Sequence, residues 1–257
     1  MKVWGSTDVG KRREINEDDY FVAYNRHKDL MAVVCDGIGG SLAGEVASST
    51  AIQSIYSLFL EAPEFENDSQ VNMWLQTALN TANDTIFSKS MNNIYEKGMG
   101  TTCVGVLITK GKAYMFNVGD SRVYAKYEDG FIQMTEDHSV INKLLKEGKI
   151  TEEEAKTHVQ KNTLTNALGV WRIFRIDIDK IEFTFDYILI CSDGLHGYVE
   201  KDSIEEIVTS STLNIKEKVT SLISAANDAG GYDNCTVILI DNTKSEDSFL
   251  EEGELND

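Results

Sequence analysis

Apolar and polar positions along this chain fall into two batches of short strand-like runs, each accompanied by helical stretches. Residues 3–9, 19–24 and 30–35 read as strands. From Leu42 to Leu60 the apolar positions Ala43, Val46, Ala47, Ala51, Ile55, Leu58 and Phe59 recur largely at three- and four-residue spacing. That spacing predicts an amphipathic helix ending near Pro63, the only proline. A second helix carries Val71, Trp74, Leu75, Ala78, Leu79, Ala82 and Ile86 on one face. Strands over 101–109, 112–118, 122–127 and 131–134, joined by turns such as Lys110-Gly111 and Asp129-Gly130, predict an antiparallel meander. Residues 139–169 interrupt the strands. Val140, Leu144 and Leu145 make a short helical face there, and Thr151-Glu152-Glu153-Glu154 is a capping box. Strands over 174–183 and 187–191, helices over 203–209 and 215–227, and a last strand over 235–240 complete the pattern. Strands and helices that cluster rather than alternate predict an α+β arrangement of antiparallel sheets with helices outside. Met99 and the tryptophans read as core.

Composition narrows the setting. The 257 residues are 42% hydrophobic and 26% charged, ordinary for a soluble domain. A net charge of −18 argues against nucleic acid or an anionic membrane surface as the main partner. Residues 241–257 hold seven acids against one lysine, with few apolar positions, and read as a disordered tail. Cys35, Cys103, Cys191 and Cys235 each lie in or beside an apolar run without zinc-like spacing, as expected of free buried thiols in a reducing compartment. With no apolar leader after Met1-Lys2 and no run of membrane-spanning length, the expected location is the cytoplasm.

The chemistry lies in four segments that join an apolar run to an acid in a Gly- or Asn-rich turn. They are Val33-Val34-Cys35-Asp36-Gly37-Ile38-Gly39-Gly40, Asn117-Val118-Gly119-Asp120-Ser121-Arg122, Leu189-Ile190-Cys191-Ser192-Asp193-Gly194 and Gly230-Gly231-Tyr232-Asp233-Asn234. A carboxylate at the mouth of a buried strand is costly unless something positive neutralises it. Four of them, with few histidines available, suggest hard divalent cations bound by oxygen. A fifth segment, Asp8 to Asp18, combines a Gly turn, the basic run Lys11-Arg12-Arg13 and the triplet Asn16-Glu17-Asp18.

Any one Asp-Gly is an ordinary turn. Together and in order, these segments, with Gly44-Glu45-Val46-Ala47-Ser48 and Gly98-Met99-Gly100-Thr101-Thr102, resemble the PPM-type (PP2C-like) protein serine/threonine phosphatases, especially compact bacterial members. The likeness spans about residues 3–241. It implies a four-layer αββα sandwich, two antiparallel sheets flanked by helix pairs, as one domain over 1–241. Residues 139–169 would be a flap beside the active site, and 242–257 the acidic tail. It also implies Asp36 as a carboxylate bridging two Mn²⁺ or Mg²⁺ ions, with Asp193 and Asp233 on the first. The Gly37 carbonyl and Glu17, direct or through water and with Asp18 its neighbour, fall on the side of the second. Asp120 with Asp193 corresponds to a third, weaker ion, and Arg13 to the arginine that binds the substrate phosphate. The implied activity is hydrolysis of phosphoserine and phosphothreonine in proteins by a metal-activated water, opposing a Ser/Thr kinase, by a monomer with no nucleic-acid or membrane partner.

These residue types suit that chemistry in their own right. Two cations sharing a carboxylate make hydroxide available near neutral pH, and a guanidinium fork matches two phosphoryl oxygens. Two positions depart from the family. Ile38 stands where some members carry a histidine proposed to protonate the leaving alkoxide; His138 or a metal-bound water is the alternative acid. Asn166 stands where bacterial relatives often have arginine. His27, His158 and His196 show no ligand spacing. Two other classes share parts of the pattern. A catalytically silent binding module is opposed by the intact acidic set, and a nuclease by the acidic surface.

Overall fold

In the computed structural model, residues 1–39 and 43–243 are described. Gly40, the first residue of the predicted helix at Leu42, and the tail beyond Thr243 lie outside the described residues. Strands β1 (Lys2–Asp8), β2 (Asp18–Tyr24) and β3 (Leu30–Ile38) precede helices α1 (Ala43–Leu60) and α2 (Asp68–Asn92). Next come β4 (Gly100–Thr101), β5 (Cys103–Thr109), β6 (Lys112–Val118), β7 (Arg122–Tyr127) and β8 (Gly130–Gln133). Short helices α3 (Val140–Lys146) and α4 (Glu152–Thr157) lead to β9 (Asp177–Ile181) and β10 (Tyr187–Cys191). The chain continues through α5 (Asp193–His196), α6 (Lys201–Thr209), α7 (Ile215–Asp228) and β11 (Cys235–Asp241).

The strands form two sheets, β1-β11-β10-β7-β8 and β2-β3-β5-β6-β9 with β4 on β3, and the pairings are antiparallel. Period-two alternation explains the four layers. In β3, Ala32 and Val34 join Val104, Val106, Ile188, Ile190, Ile238 and Ile240 between the sheets. Met31, Val33 and Cys35 point the other way, against Ala47, Ile55 and Phe59 of α1 and Leu75 and Leu79 of α2. In β11, Val237 and Leu239 meet Val208 of α6 and Val219 and Leu222 of α7. Both faces of the central strands are therefore covered, which is why they read as continuous apolar runs. The architecture is the expected αββα sandwich.

Local chemistry sets the helix ends. Asn67 caps α2 by accepting from Gln70 N–H, and Thr151 and Glu154 close a reciprocal capping box on α4. The four cysteines are free and buried. Among the described residues no helix is long and apolar enough to cross a membrane.

Three expectations need correction. The predicted meander is split: β5–β6 is a hairpin of one sheet and β7–β8 of the other, so the chain changes sheets at Gly119-Asp120-Ser121. The predicted strand over 174–183 shrinks to β9. Ahead of it, the Asn166 carboxamide takes both backbone groups of Arg175, accepting its N–H at 3.1 Å and donating to its carbonyl at 2.8 Å. A side chain there replaces a strand neighbour. Met99 is buried and Trp74 packs edge-on to Phe59 and Phe65, but Trp4 and Trp171 are exposed. Trp4 lies on edge strand β1, where the Lys216 ammonium stands 5.1 Å over its ring.

Candidate active site

One end of the sandwich gathers the acidic segments. Antiparallel pairing brings Asp8 at the end of β1 opposite Cys235 at the start of β11, and Asp18 at the start of β2 opposite Asp36 near the end of β3. The β10 strand ends at the same level, leading into Ser192 and Asp193. The β6–β7 crossover adds Asp120. Strand register, rather than proximity in sequence, assembles the cluster.

Asp18 and Asp36 occupy directly opposed positions, an arrangement that repels when both are ionised. Asp18 is buried; one carboxyl oxygen accepts from Ser192 and Thr236 hydroxyls at 2.7 Å each, while Oδ1 has no partner. Burial is the main force raising its pKa to about 7, with Asp193 and Asp233 adding to it. Burial, then the charges of Asp18, Asp193, Asp120 and Asp233, holds Asp36 well above the usual carboxylate range. Asp193 is raised to about 6 by burial and then by Asp233, a rise moderated by its hydrogen bond with Asp36. Glu17 is raised by burial, and its Oε1 also lacks a partner.

The backbone around Asp36 is held tightly. Its N–H donates to Thr102 Oγ1 at 2.9 Å, and its carbonyl accepts from Thr102 N–H and Thr101 Oγ1. Gly37 N–H donates to the Glu17 carbonyl at 3.0 Å. Any side chain at Gly37 would strike the carbonyls of Gly44 and Glu17, so glycine is required by close approach.

Asn234 organises the other wall. Its Oδ1 accepts from Glu17 N–H at 2.8 Å, and its Nδ2 donates to the carbonyls of Val9 and Ile15. The loop bearing Arg13 is thereby pinned beside Asp233. Arg13 Nη2 donates to Asp233 at 2.8 Å, Nε approaches the Tyr232 carbonyl at 3.4 Å, and Nη1 lies 4.0 Å from Glu17. Its side chain is 45% exposed, so the guanidinium sits at the rim with donor capacity facing outward. Arg12 instead stands over the Tyr232 ring.

Asp120 is partly buried at the head of a groove, and burial followed by the Asp193 charge raises its pKa strongly. Two histidines brace its turn. His196 Nε2 meets the Asp120 carbonyl at 3.0 Å, and burial lowers the imidazole pKa to about 3, keeping it neutral. His138 Nδ1 accepts from Gly119 N–H at 3.1 Å and from Asn166 Nδ2 at 2.9 Å, which places the proton on Nε2, facing Asp177 at 3.0 Å. With both nitrogens engaged, the geometry supports bracing by His138 more than proton donation. The Thr165 N–H also donates to the His138 carbonyl, tying the 139–169 segment to this turn. A groove of about 860 Å³ runs from Asp120 and Asp193 beneath α3 and α4 toward Tyr198 and α6. Arg122 lines it but is committed, forking onto Asp137 at 2.6–3.2 Å.

The structure thus brings together Arg13, Glu17, Asp18, Asp36, Gly37, Asp120, Asp193 and Asp233, and sets His138 behind Gly119. Ser192, Thr236, Thr102, Asn234 and His196 support them. Ser192 and Asn234 lay within the acidic motifs; Thr236 and His196 carried no spacing signal, because their partners are distant in sequence.

The donor set fits hard cations. It is all oxygen, it is short of positive charge, and two of its buried carboxylate oxygens lack hydrogen bonds. Among the described residues no three His, Cys, Asp or Glu side chains close around a single point.

Comparisons with known proteins agree. A sequence model of the protein phosphatase 2C family matches residues 10–230. A serine/threonine phosphatase of Listeria innocua is 37% identical over 236 residues, 91% of this chain and 93% of the relative. The protein phosphatase PhpP of Streptococcus pneumoniae is 34% identical over 93% of this chain and 97% of its own. The crystal structure of a Staphylococcus aureus serine/threonine phosphatase superposes with a TM-score of 0.87 at 35% identity, covering 95% of each chain. The chain belongs to the protein phosphatase 2C family. Within it, the chain is a phosphatase of the bacterial serine/threonine type.

The carboxyl pKa shifts imply an unusual pH dependence for the cation-free protein. The folded state keeps protons on Asp18 and Asp193 up to about pH 7 and 6, whereas unfolded aspartates lose theirs near 4. Between those values the folded state binds more protons, so its stability falls as pH rises. In EDTA, the melting temperature should drop from about pH 4 to pH 7, and Mn²⁺ should raise it far more at pH 7 than at pH 5. A melting temperature that climbs across this window without metal would contradict the assigned shifts.

Proposed function

We propose that this enzyme hydrolyses phosphoserine and phosphothreonine in proteins by a route that requires Mn²⁺ or Mg²⁺, opposing a serine/threonine protein kinase. The observation that carries this reading is the acidic cluster at one end of the sandwich, with Asp18 opposite Asp36 and Arg13 reaching it at the rim. The names of the relatives support the substrate class. In this reading Asp36, Asp193 and Asp233 would hold one ion, and Asp36, the Gly37 carbonyl and Glu17, with Asp18 its neighbour, would hold a second. Asp120 and Asp193 take a third, weaker ion. Bound there, such cations supply Lewis acidity, lowering the pKa of water and offsetting phosphoryl charge.

The chain's own groups do the rest. Arg13 holds the substrate phosphate through its outward N–H groups while Asp233 keeps the guanidinium oriented. Thr101 and Thr102 fix the Asp36 backbone, Ser192 and Thr236 orient Asp18, and the His138 and His196 rings hold the Asp120 turn. Residues 139–169 act as a flap over the groove, and the domain of 1–241 works as a cytoplasmic monomer without the acidic tail.

EDTA should abolish hydrolysis of p-nitrophenyl phosphate and excess Mn²⁺ should restore it. Asp36→Ala should lose several orders of magnitude in activity yet stay folded, because one repelling charge is gone. Full activity in chelator would refute the proposal.

The two neighbouring arginines should behave differently. Arg13→Ala should lower kcat/KM for a phosphopeptide on the order of 10²-fold, the size of a charge-assisted contact of about 2–3 kcal/mol. Arg12→Ala should do little. Equal losses in steady-state kinetics would show that the phosphate arginine is misassigned.

A further inference from the structure

Beside the acidic cluster stands an aromatic pair that none of these roles uses. Tyr232 directly precedes Asp233 and is 50% exposed, and Tyr198 follows α5 at the edge of the groove that starts at Asp120 and Asp193. Their ring centroids are 5.4 Å apart, with planes inclined by 31°. The Tyr232 ring has three neighbours. Tyr198 packs against it, the Arg12 guanidinium lies 5.9 Å from its centroid, and Gly230 leaves the remaining space. Gly230 has φ +134, and a Cβ there would collide with the ring, so both the turn and the ring depend on glycine. The Tyr232 carbonyl faces Arg13 Nε, which places the ring one residue from Asp233 and one hydrogen bond from the phosphate arginine.

A half-exposed aromatic pair at the rim of a site offers contact area at low entropic cost, since each ring has two side-chain torsions to fix. We infer that Tyr198 and Tyr232 form a binding subsite for the polypeptide flanking the phosphorylated residue, stacking on a neighbouring side chain or peptide plane. The inference rests on the phosphatase reading of Arg13 and the acidic cluster. A phosphopeptide engages the pair; free phosphothreonine, with no flanking chain, does not extend to it. The rings therefore serve selection of protein substrates rather than the chemical step.

The test is the ratio of kcat/KM for a phosphothreonine peptide to that for free phosphothreonine, measured by phosphate release with Mn²⁺. Tyr232→Ala should lower this ratio roughly three- to tenfold, mainly through the KM of the peptide, as expected for the loss of one aromatic contact. Tyr232→Phe, which preserves the stack, should keep most of the ratio. Tyr198→Ala approaches the pair from the other side and should give the same loss, with melting temperatures confirming that each variant is folded. An unchanged ratio in both alanine variants would overturn the subsite, as would equal losses on the two substrates. Inactivity of the wild-type enzyme toward both substrates would instead overturn the phosphatase reading, and the subsite with it.

Discussion

Repulsion among carboxylates confined to one end of the sandwich is the constraint on which the rest depends. Asp18 and Asp36 face each other across a strand pair, and Asp193, Asp120 and Asp233 add their charges. Isolated acids would part or stay protonated under these conditions. They are kept together by apolar contact on both faces of their strands, the inner faces meeting between the sheets and the outer faces meeting the helices. The unfavourable charge arrangement is thus concentrated where cations are proposed to bind, and the frame offsets it elsewhere.

Three backbone junctions convert that frame into a site. Thr101 and Thr102 lock the end of β3, Asn234 bridges the N-terminal loop to the start of β11, and the crossing between sheets at Gly119 to Ser121 delivers Asp120. The last junction is the one connected to a surface segment. His138 holds Gly119, and Asn166 and Thr165 hold His138, so any displacement of residues 139–169 has a short hydrogen-bonded route to Asp120. The Asn166 carboxamide is taken up by this bracing and by Arg175.

Much of this was legible in the chain. Continuous apolar runs located β3, β5, β6, β10 and β11, because those strands are covered on both faces, and Thr151 with Glu154 marked the start of α4. The acidic motifs named every carboxylate of the cluster. What periodicity does not carry is partner identity: residues 101–134 look like one meander whether or not the chain changes sheets midway. Nor can a pattern reveal that a side-chain amide will replace a strand neighbour at Arg175. His196 and Thr236 escaped notice for a similar reason, since each acts on a group far away in sequence. Trp4 and Trp171 show the reverse error, where large apolar side chains were read as core although an edge strand and a loop leave them half in water.

Whether the clustered carboxylates seat cations can be decided by diffraction from crystals grown with Mn²⁺ and recorded at the manganese absorption edge. Strong anomalous peaks should appear beside Asp36, within reach of Asp193, Asp233 and the Gly37 carbonyl, with a weaker peak beside Asp120 that vanishes at low Mn²⁺. Manganese bound elsewhere, with the Asp18, Asp36 and Asp193 carboxyls still packed against one another, would contradict that role.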